Sequence, residues 1–101
     1  MAQNKHPEVH KKLTELSDLV GSQQFVAAME KAGGDEKLYR KVKENPHEFL
    51  KEQGVHLPPD VELSATEQRL AVAVTICVTI CARVGSFGVC VRICVTRRFE
   101  V

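Results

Sequence analysis

The chain has 101 residues and a formal net charge of +1, with 44% hydrophobic and 27% charged residues, which suits one small domain. The small excess of positive charge, with one Tyr and no Trp, argues against nucleic-acid binding. The longest run of apolar, Thr and Cys residues, 70–82, is shorter than the about 20 residues that a membrane helix needs.

Charge divides the chain into two parts. Residues 1–69 contain 10 basic and 12 acidic residues, whereas residues 70–101 contain four arginines and one glutamate. Every lysine lies at or before Lys51. No apolar run near the N-terminus predicts a signal peptide, so we expect the chain in the reducing cytoplasm, where cysteines are more often thiols, metal ligands or reactive groups than disulfides.

Three amphipathic helices are predicted before residue 45. Pro7 suits the first turn of a helix that stops at Gly21, Ser22 caps the next, and Asp35 caps the third. The apolar positions of the third helix are Leu38, Tyr39 and Val42. These segments predict a small helical domain.

The segment "ENPHEFLKEQGV" predicts a fourth helix. Asn45 is a good N-cap, Pro46 suits the first helical position, and Glu48 can close a capping box. Gly54 supplies a left-handed stop. The following "LPPD" cannot continue a helix and is expected to be extended.

The four histidines do not predict a metal site. His6 and His10 are four residues apart and can share one helix face, as a metal-binding pair would. No third ligand lies near them in the sequence, and His47 and His56 are distant from them. We therefore expect exposed histidines and no bound metal.

From residue 70 the pattern changes to strict alternation, which favours a β-hairpin. Apolar residues occupy one face, and Thr, Cys and Arg the other. A four-residue loop, Gly85–Gly88, places no cysteine opposite another. The pairs expected on the polar face are Arg83 with Cys90, Cys81 with Arg92, Thr79 with Cys94, and Cys77 with Thr96. An isolated hairpin is marginal in water, so this segment can equally stay flexible.

The clustered cysteines and hydroxyls allow three interpretations. The first is a hairpin closed by disulfides, and the second is a zinc clamp, although Cys-x3-Cys spacing is looser than usual. The third is enzymatic dehydration of Ser or Thr, followed by attack of a thiolate to form a thioether. The candidate residues for that chemistry are Thr75, Cys77, Thr79, Cys81, Ser86, Cys90, Cys94 and Thr96.

The segment "DEKLYRKVKENPHEFLKEQGVHLPPDVEL", residues 35–63, resembles the nitrile hydratase-like leaders of proteusin precursors. In that family the leader precedes a core peptide that enzymes convert into a natural product. The resemblance implies no hydratase activity, because the metal site of nitrile hydratase needs clustered cysteines and residues 35–63 contain none. It implies that a leader peptidase or transporter removes the leader, and that radical epimerases act on the Val-rich core peptide. The matching residues, expected to be recognised by maturation enzymes, are Leu38, Tyr39, Arg40, Val42, Asn45, Pro46, Phe49, Leu50, Gly54 and Val55.

We therefore expect a mainly α fold: a helical leader, residues 1–65, followed by a flexible or hairpin-forming core peptide, residues 66–101. The expected function is that of a non-enzymatic precursor without a cofactor. Its expected partners are a lanthionine synthetase, a radical epimerase and a peptide arginase that converts arginine to ornithine. The arginines open to conversion are Arg83, Arg92, Arg97 and Arg98. The cationic product is expected to be exported and to be attracted to membranes. The alternatives are a disulfide-linked host-defence hairpin with a pro-segment, and a small zinc-binding interaction module.

Overall fold

The computed structural model describes residues 7–98, which form four helices followed by three strands. The helices are α1 (Pro7–Val20), α2 (Gln23–Gly34), α3 (Glu36–Glu44) and α4 (Pro46–Glu52). The strands are β1 (Val61–Arg69), β2 (Ala73–Val84) and β3 (Phe87–Arg98). The expectation of a mainly α fold, a helical leader followed by a flexible or hairpin-forming core peptide, is therefore wrong, because the C-terminal strands belong to one mixed domain of helices and antiparallel sheet.

The predicted helix starts are confirmed. The Ser22 hydroxyl accepts a hydrogen bond from the Phe25 amide at 3.3 Å, and the Asp35 carboxylate accepts one from the Lys37 amide at 2.9 Å. The Asn45 side chain accepts one from the Glu48 amide at 3.2 Å. Each oxygen satisfies a first-turn amide that has no partner inside its helix.

The three strands form one antiparallel sheet in the order β1-β2-β3. β1 was not expected, since only residues 57–60 were predicted to be extended and no strand was predicted in residues 61–69. It spans the predicted junction between residues 65 and 66 and pairs with β2 along its whole length, from Val61 opposite Ala82 to Arg69 opposite Val74. The sheet therefore joins the two parts of the chain that composition separates.

The hairpin of β2 and β3 is confirmed, but its predicted register is wrong by two residues. Val84 pairs with Phe87, so the loop contains only Gly85 and Ser86. Gly85 has φ +61° and no residue other than glycine has positive φ within the described range, as in the tight hairpin turns that place Gly first. A shift of two residues leaves every side chain on its predicted face and changes only its partner.

One face of the sheet, here called the covered face, packs against all four helices. α1 and α2 lie mainly against β3, and α3 and α4 lie against β1. The largest fully buried side chains come from helices and sheet alike: Phe25, Phe49, Leu16, Met29, Leu50, Ile76, Ile80, Val42 and Val78.

This shared core explains why the hairpin is ordered. Full burial of one such side chain contributes about 1.5–3 kcal/mol. Ile76, Val78 and Ile80 of β2 are all 0% exposed, and they bury that surface only because the helices supply the opposite wall. Within the described residues, no helix has the length and apolar character needed to cross a membrane.

Candidate functional site

The face of the sheet that points away from the helices, here called the open face, collects most of the residues predicted to be modified. Side chains alternate between the two faces along each strand, and burial follows that alternation in β1 and β2. On the open face, the residues of β2 and β3 form a continuous ladder of polar and sulfur-containing side chains, and β1 lies beside this ladder. The open face consists of Glu62, Ser64, Thr66, Gln68, Thr75, Cys77, Thr79, Cys81, Arg83, Cys90, Arg92, Cys94 and Thr96.

All four cysteines of the open face are joined in cross-strand disulfides. Cys77 bonds Cys94 and Cys81 bonds Cys90, with Cα atoms 4.0 and 4.1 Å apart. These separations are near the about 4.5 Å of the close pairs in an antiparallel ladder. This structure therefore contains the disulfides of the first of the three interpretations. The two-residue turn places cysteine directly opposite cysteine, which the predicted four-residue loop did not.

Hydroxyl and arginine side chains separate the two disulfides and extend the ladder. Thr75 and Thr96 lie opposite each other and share a hydrogen bond of 2.8 Å. Thr79 lies opposite Arg92, between the disulfides. The predicted pairings of Thr79 with Cys94 and of Cys77 with Thr96 are therefore wrong, and so are those of Arg83 with Cys90 and of Cys81 with Arg92.

Three of the residues predicted to be modified do not belong to the ladder. Ser86 is exposed in the hairpin turn. Arg97 lies opposite Val74, on the covered face, and is half-buried. Arg98 ends β3, and its side chain lies outside the described part of the chain.

The residues predicted for leader recognition divide between core and surface. Tyr39, Val42, Phe49, Leu50 and Val55 are buried in the shared core, where they hold the sheet and are not accessible to an enzyme in this structure. Leu38 and Pro46 are half-buried, and Arg40, Asn45 and Gly54 are exposed. A partner of the folded chain would therefore contact the exposed members of this set.

A polar cluster around Glu67 was not identified from the sequence. The Tyr39 hydroxyl donates a hydrogen bond to Glu67 Oε2. Lys43 Nζ and Arg69 Nε lie 3.3 and 3.1 Å from Glu67 Oε1. Glu67 occupies a covered-face position in the alternation of β1, a signal that becomes readable only once residues 61–69 are recognised as a strand.

The cluster around Glu67 shifts the pKa values of two of its members in opposite directions. The hydrogen bond from Tyr39 is the largest influence on Glu67 and lowers its pKa from 4.5 to about 2, against the opposing effect of burial. Burial is the largest influence on Tyr39 and raises its pKa, and the hydrogen bond to Glu67 adds to the rise. At neutral pH the pair is therefore a phenol donating to a carboxylate, which ties α3 to β1.

No group of three or more His, Cys, Asp or Glu residues within positions 7–98 is arranged to hold a metal ion. His10, His47 and His56 are exposed, and His6 lies outside the described residues. A zinc clamp would need the four sulfurs that are joined in disulfides.

Comparisons with models of protein families, with curated proteins and with solved structures give no match to this chain. The candidate site is therefore defined by its own geometry: a ladder of sulfur, hydroxyl and guanidinium groups on the open face, and a basic polar cluster beside α3.

Proposed function

We propose that the chain is a precursor of a modified peptide, in which the helical part carries and presents the C-terminal hairpin to maturation enzymes. One observation carries the proposal. The reactive side chains predicted from the sequence gather on the open face, while the apolar side chains of the same strands are covered by the helices. A hairpin with that much β-branched apolar surface would aggregate without a cover.

The chemistry expected on the open face is dehydration followed by thioether formation. A synthetase activates a hydroxyl such as that of Thr79, which leaves while the α-proton is removed, with net loss of one water. A cysteine thiolate then adds to the β-carbon, and the α-carbon takes up a proton. Thr79 has Cys90 and Cys94 as diagonal neighbours on β3, about 7–8 Å away by the geometry of antiparallel strands, so short movements suffice.

Thioether formation requires the reduced state of the cysteines. A sulfur held in a disulfide cannot add to an alkene, whereas cellular thiols reduce exposed disulfides by exchange. Cys77 and Cys81 are half-buried, and Cys90 and Cys94 are exposed. We therefore propose that maturation acts on the reduced hairpin, and that the same cysteine neighbours form disulfides where no synthetase is present.

The surface of α3 is the proposed docking site for the enzymes. Arg40 is exposed, and its only partner within the described residues is Glu36, 3.3 Å away. Exposed pairs of this kind contribute little stability, so Arg40 can be exchanged without unfolding the chain. Arg40→Gln is expected to slow modification, whereas Lys37→Gln, an exposed change on the same helix, is the matched control.

Intact mass after co-expression with a lanthionine synthetase tests the proposal. The expected result is loss of one water per dehydrated residue together with fewer thiols that react with an alkylating agent after reduction. Thr79→Val should reduce the number of waters lost by one. Thr14→Val, at an exposed position of α1, should leave it unchanged. An unmodified mass with every synthetase tested would refute thioether formation.

A second candidate function is favoured by the two disulfides. Cys77–Cys94 and Cys81–Cys90 would hold a cationic hairpin after removal of the helices, as in a disulfide-linked host-defence peptide. If this candidate is correct, an isolated peptide of residues 73–98 should oxidise to a single product that contains these two disulfides, and its mass should show no loss of water. This candidate also predicts binding of that peptide to anionic vesicles, which salt should weaken.

A further inference from the structure

A basic cleft lies on the covered face, at the end of the sheet where α3 packs against β1. It has a volume of about 330 Å³, within the range of about 300–1,000 Å³ typical of ligand pockets. None of its lining residues belongs to the open face. They are Glu36, Tyr39, Arg40, Lys43, Arg69, Val74 and Arg97.

The register of the sheet builds the floor of this cleft. Val74 of β2 pairs with Arg69 on one side and with Arg97 on the other. The two arginines therefore lie on the same face, separated by one strand, about 9–10 Å apart at their Cα atoms from the usual strand spacing. α3 closes the cleft from above with Tyr39 and Lys43. Two guanidinium groups thus flank one small apolar side chain.

Positive charge exceeds negative charge around the cleft. Four cationic side chains line it, and the two carboxylates near it are already engaged. Glu36 pairs with Arg40 at the surface. Glu67 accepts from Tyr39, Lys43 and Arg69. The local excess is therefore two positive charges.

Arg97 is the unsatisfied member of the cleft. Within the described residues its guanidinium has no ion pair and no hydrogen bond, although the residue is half-buried. Arg69 engages Glu67 through Nε, which leaves the other N–H groups of its fork available. A half-buried guanidinium without a partner, beside further cations, is stabilised by an anion that accepts several hydrogen bonds.

We propose that the cleft between Arg69 and Arg97 binds a phosphate dianion, either free or as the monoester of a small molecule. A phosphate group carries the charge that balances the local excess. Its oxygens suit the planar forks of two arginines, which bind phosphate in bidentate fashion. The Lys43 ammonium supplies a further donor from α3. This site is separate from the open face. It shares Arg40 with the proposed docking surface of α3, but phosphate binding does not depend on the proposed precursor function.

Two variants of β3 provide the test. Arg97→Gln removes the unpaired guanidinium from the cleft. Arg92→Gln removes the same charge from the same strand, but on the open face, where Arg92 lies opposite Thr79. Both variants have the same net charge, so a response to ionic strength alone would be equal in the two.

The probes are inorganic phosphate and phenyl phosphate, titrated against chloride at constant ionic strength while amide NMR spectra are recorded. The expected result is a saturable shift of amides in residues 39–43 and of residues 69, 74 and 97, unchanged by Arg92→Gln. Arg97→Gln should weaken binding about 10- to 100-fold, the effect of losing a hydrogen-bonded charged donor. Tighter binding of phenyl phosphate than of inorganic phosphate would identify a monoester as the ligand.

Arg97→Lys is a second variant that keeps the proposal testable if Arg97→Gln does not fold. It keeps the charge and loses the planar fork, so an affinity between those of the wild type and Arg97→Gln is expected. Shifts that do not saturate, or equal responses of Arg97→Gln and Arg92→Gln, would overturn the proposal.

Discussion

The pairing of the four cysteines can be tested by removing them two at a time. The Cys77–Cys94 disulfide spans 17 residues and the Cys81–Cys90 disulfide spans 9. In the chain-entropy model, loops of these lengths restrict the unfolded chain by about 3.1 and about 2.6 kcal/mol at 25 °C. Because the shorter loop lies inside the longer one, we expect either pair of Cys→Ser changes to lower the free energy of unfolding by about 2–3 kcal/mol.

Reduction of both disulfides should remove about 5 kcal/mol, which approaches the whole stability of many small domains. We therefore expect the reduced hairpin to open readily, as access of an enzyme to its backbone would require. Equilibrium unfolding in urea, with and without a reductant, measures this difference. A reduced chain as stable as the oxidised one would show that the disulfides do not restrict the unfolded state.

Counting free thiols in double variants tests the register directly. C77S/C94S leaves Cys81 and Cys90, which lie opposite each other, so no free thiol is expected. C77S/C90S leaves Cys81 and Cys94, which are not opposite each other, so two free thiols per chain are expected. The reverse pattern would refute the two-residue turn and the pairing that follows from it.

Three further predictions concern the sheet and its contacts. Gly33→Ala places a Cβ 2.9 Å from Val95 Cγ2, so we expect the free energy of unfolding in urea to fall by about 1–3 kcal/mol. The control is Gly34→Ala, which has nothing within 4 Å of the new Cβ and should raise that free energy by up to about 1 kcal/mol. Equal effects of the two changes would contradict the packing of α2 on β3. The pKa of Glu67 is lowered to about 2 from 4.5, so the ionised side chain contributes fully to folding stability above pH about 4.5, and this contribution is lost as the pH falls through 2. Glu67→Gln should lower the free energy of unfolding by about 1.5–3 kcal/mol at neutral pH. Circular dichroism should also show a smaller loss of stability at acid pH for this variant than for the wild type. Gly85→Ala should cost about 1–2 kcal/mol because of the positive φ, and an unchanged midpoint would argue against the tight turn.

Local signals predicted the helices well because each depends on a few adjacent residues. Ser22, Asp35 and Asn45 cap helices where expected, since an N-cap oxygen bonds amides only two or three residues ahead. Alternation also placed the hairpin residues on the correct faces. Their partners were predicted wrongly because the length of the turn sets the register, and "GSFG" is compatible with more than one loop.

The strand β1 and the basic cleft depend on contacts between distant residues. Alternation in residues 61–69 is weak because the covered-face positions include Glu67 and Arg69. Glu67 is tolerated there because Tyr39, 28 residues earlier, donates a hydrogen bond to it and because Lys43 and Arg69 form ion pairs with it. The sequence grouped Arg97 with the other arginines of the hairpin as a residue open to modification. In the structure it lies on the covered face, one strand away from Arg69. The charge split along the sequence gives no indication of this arrangement.

The amino-acid sequence by itself determined the helix starts, the position of the hairpin and the division of its side chains into an apolar and a reactive face. These features follow from hydrogen bonds and periodicities within a few residues. Tertiary structure decided that the two parts share one core and that Arg69 and Arg97 flank Val74. Those outcomes require the helices to cover the apolar face, because the burial that orders the sheet exists only when both walls of the core are present.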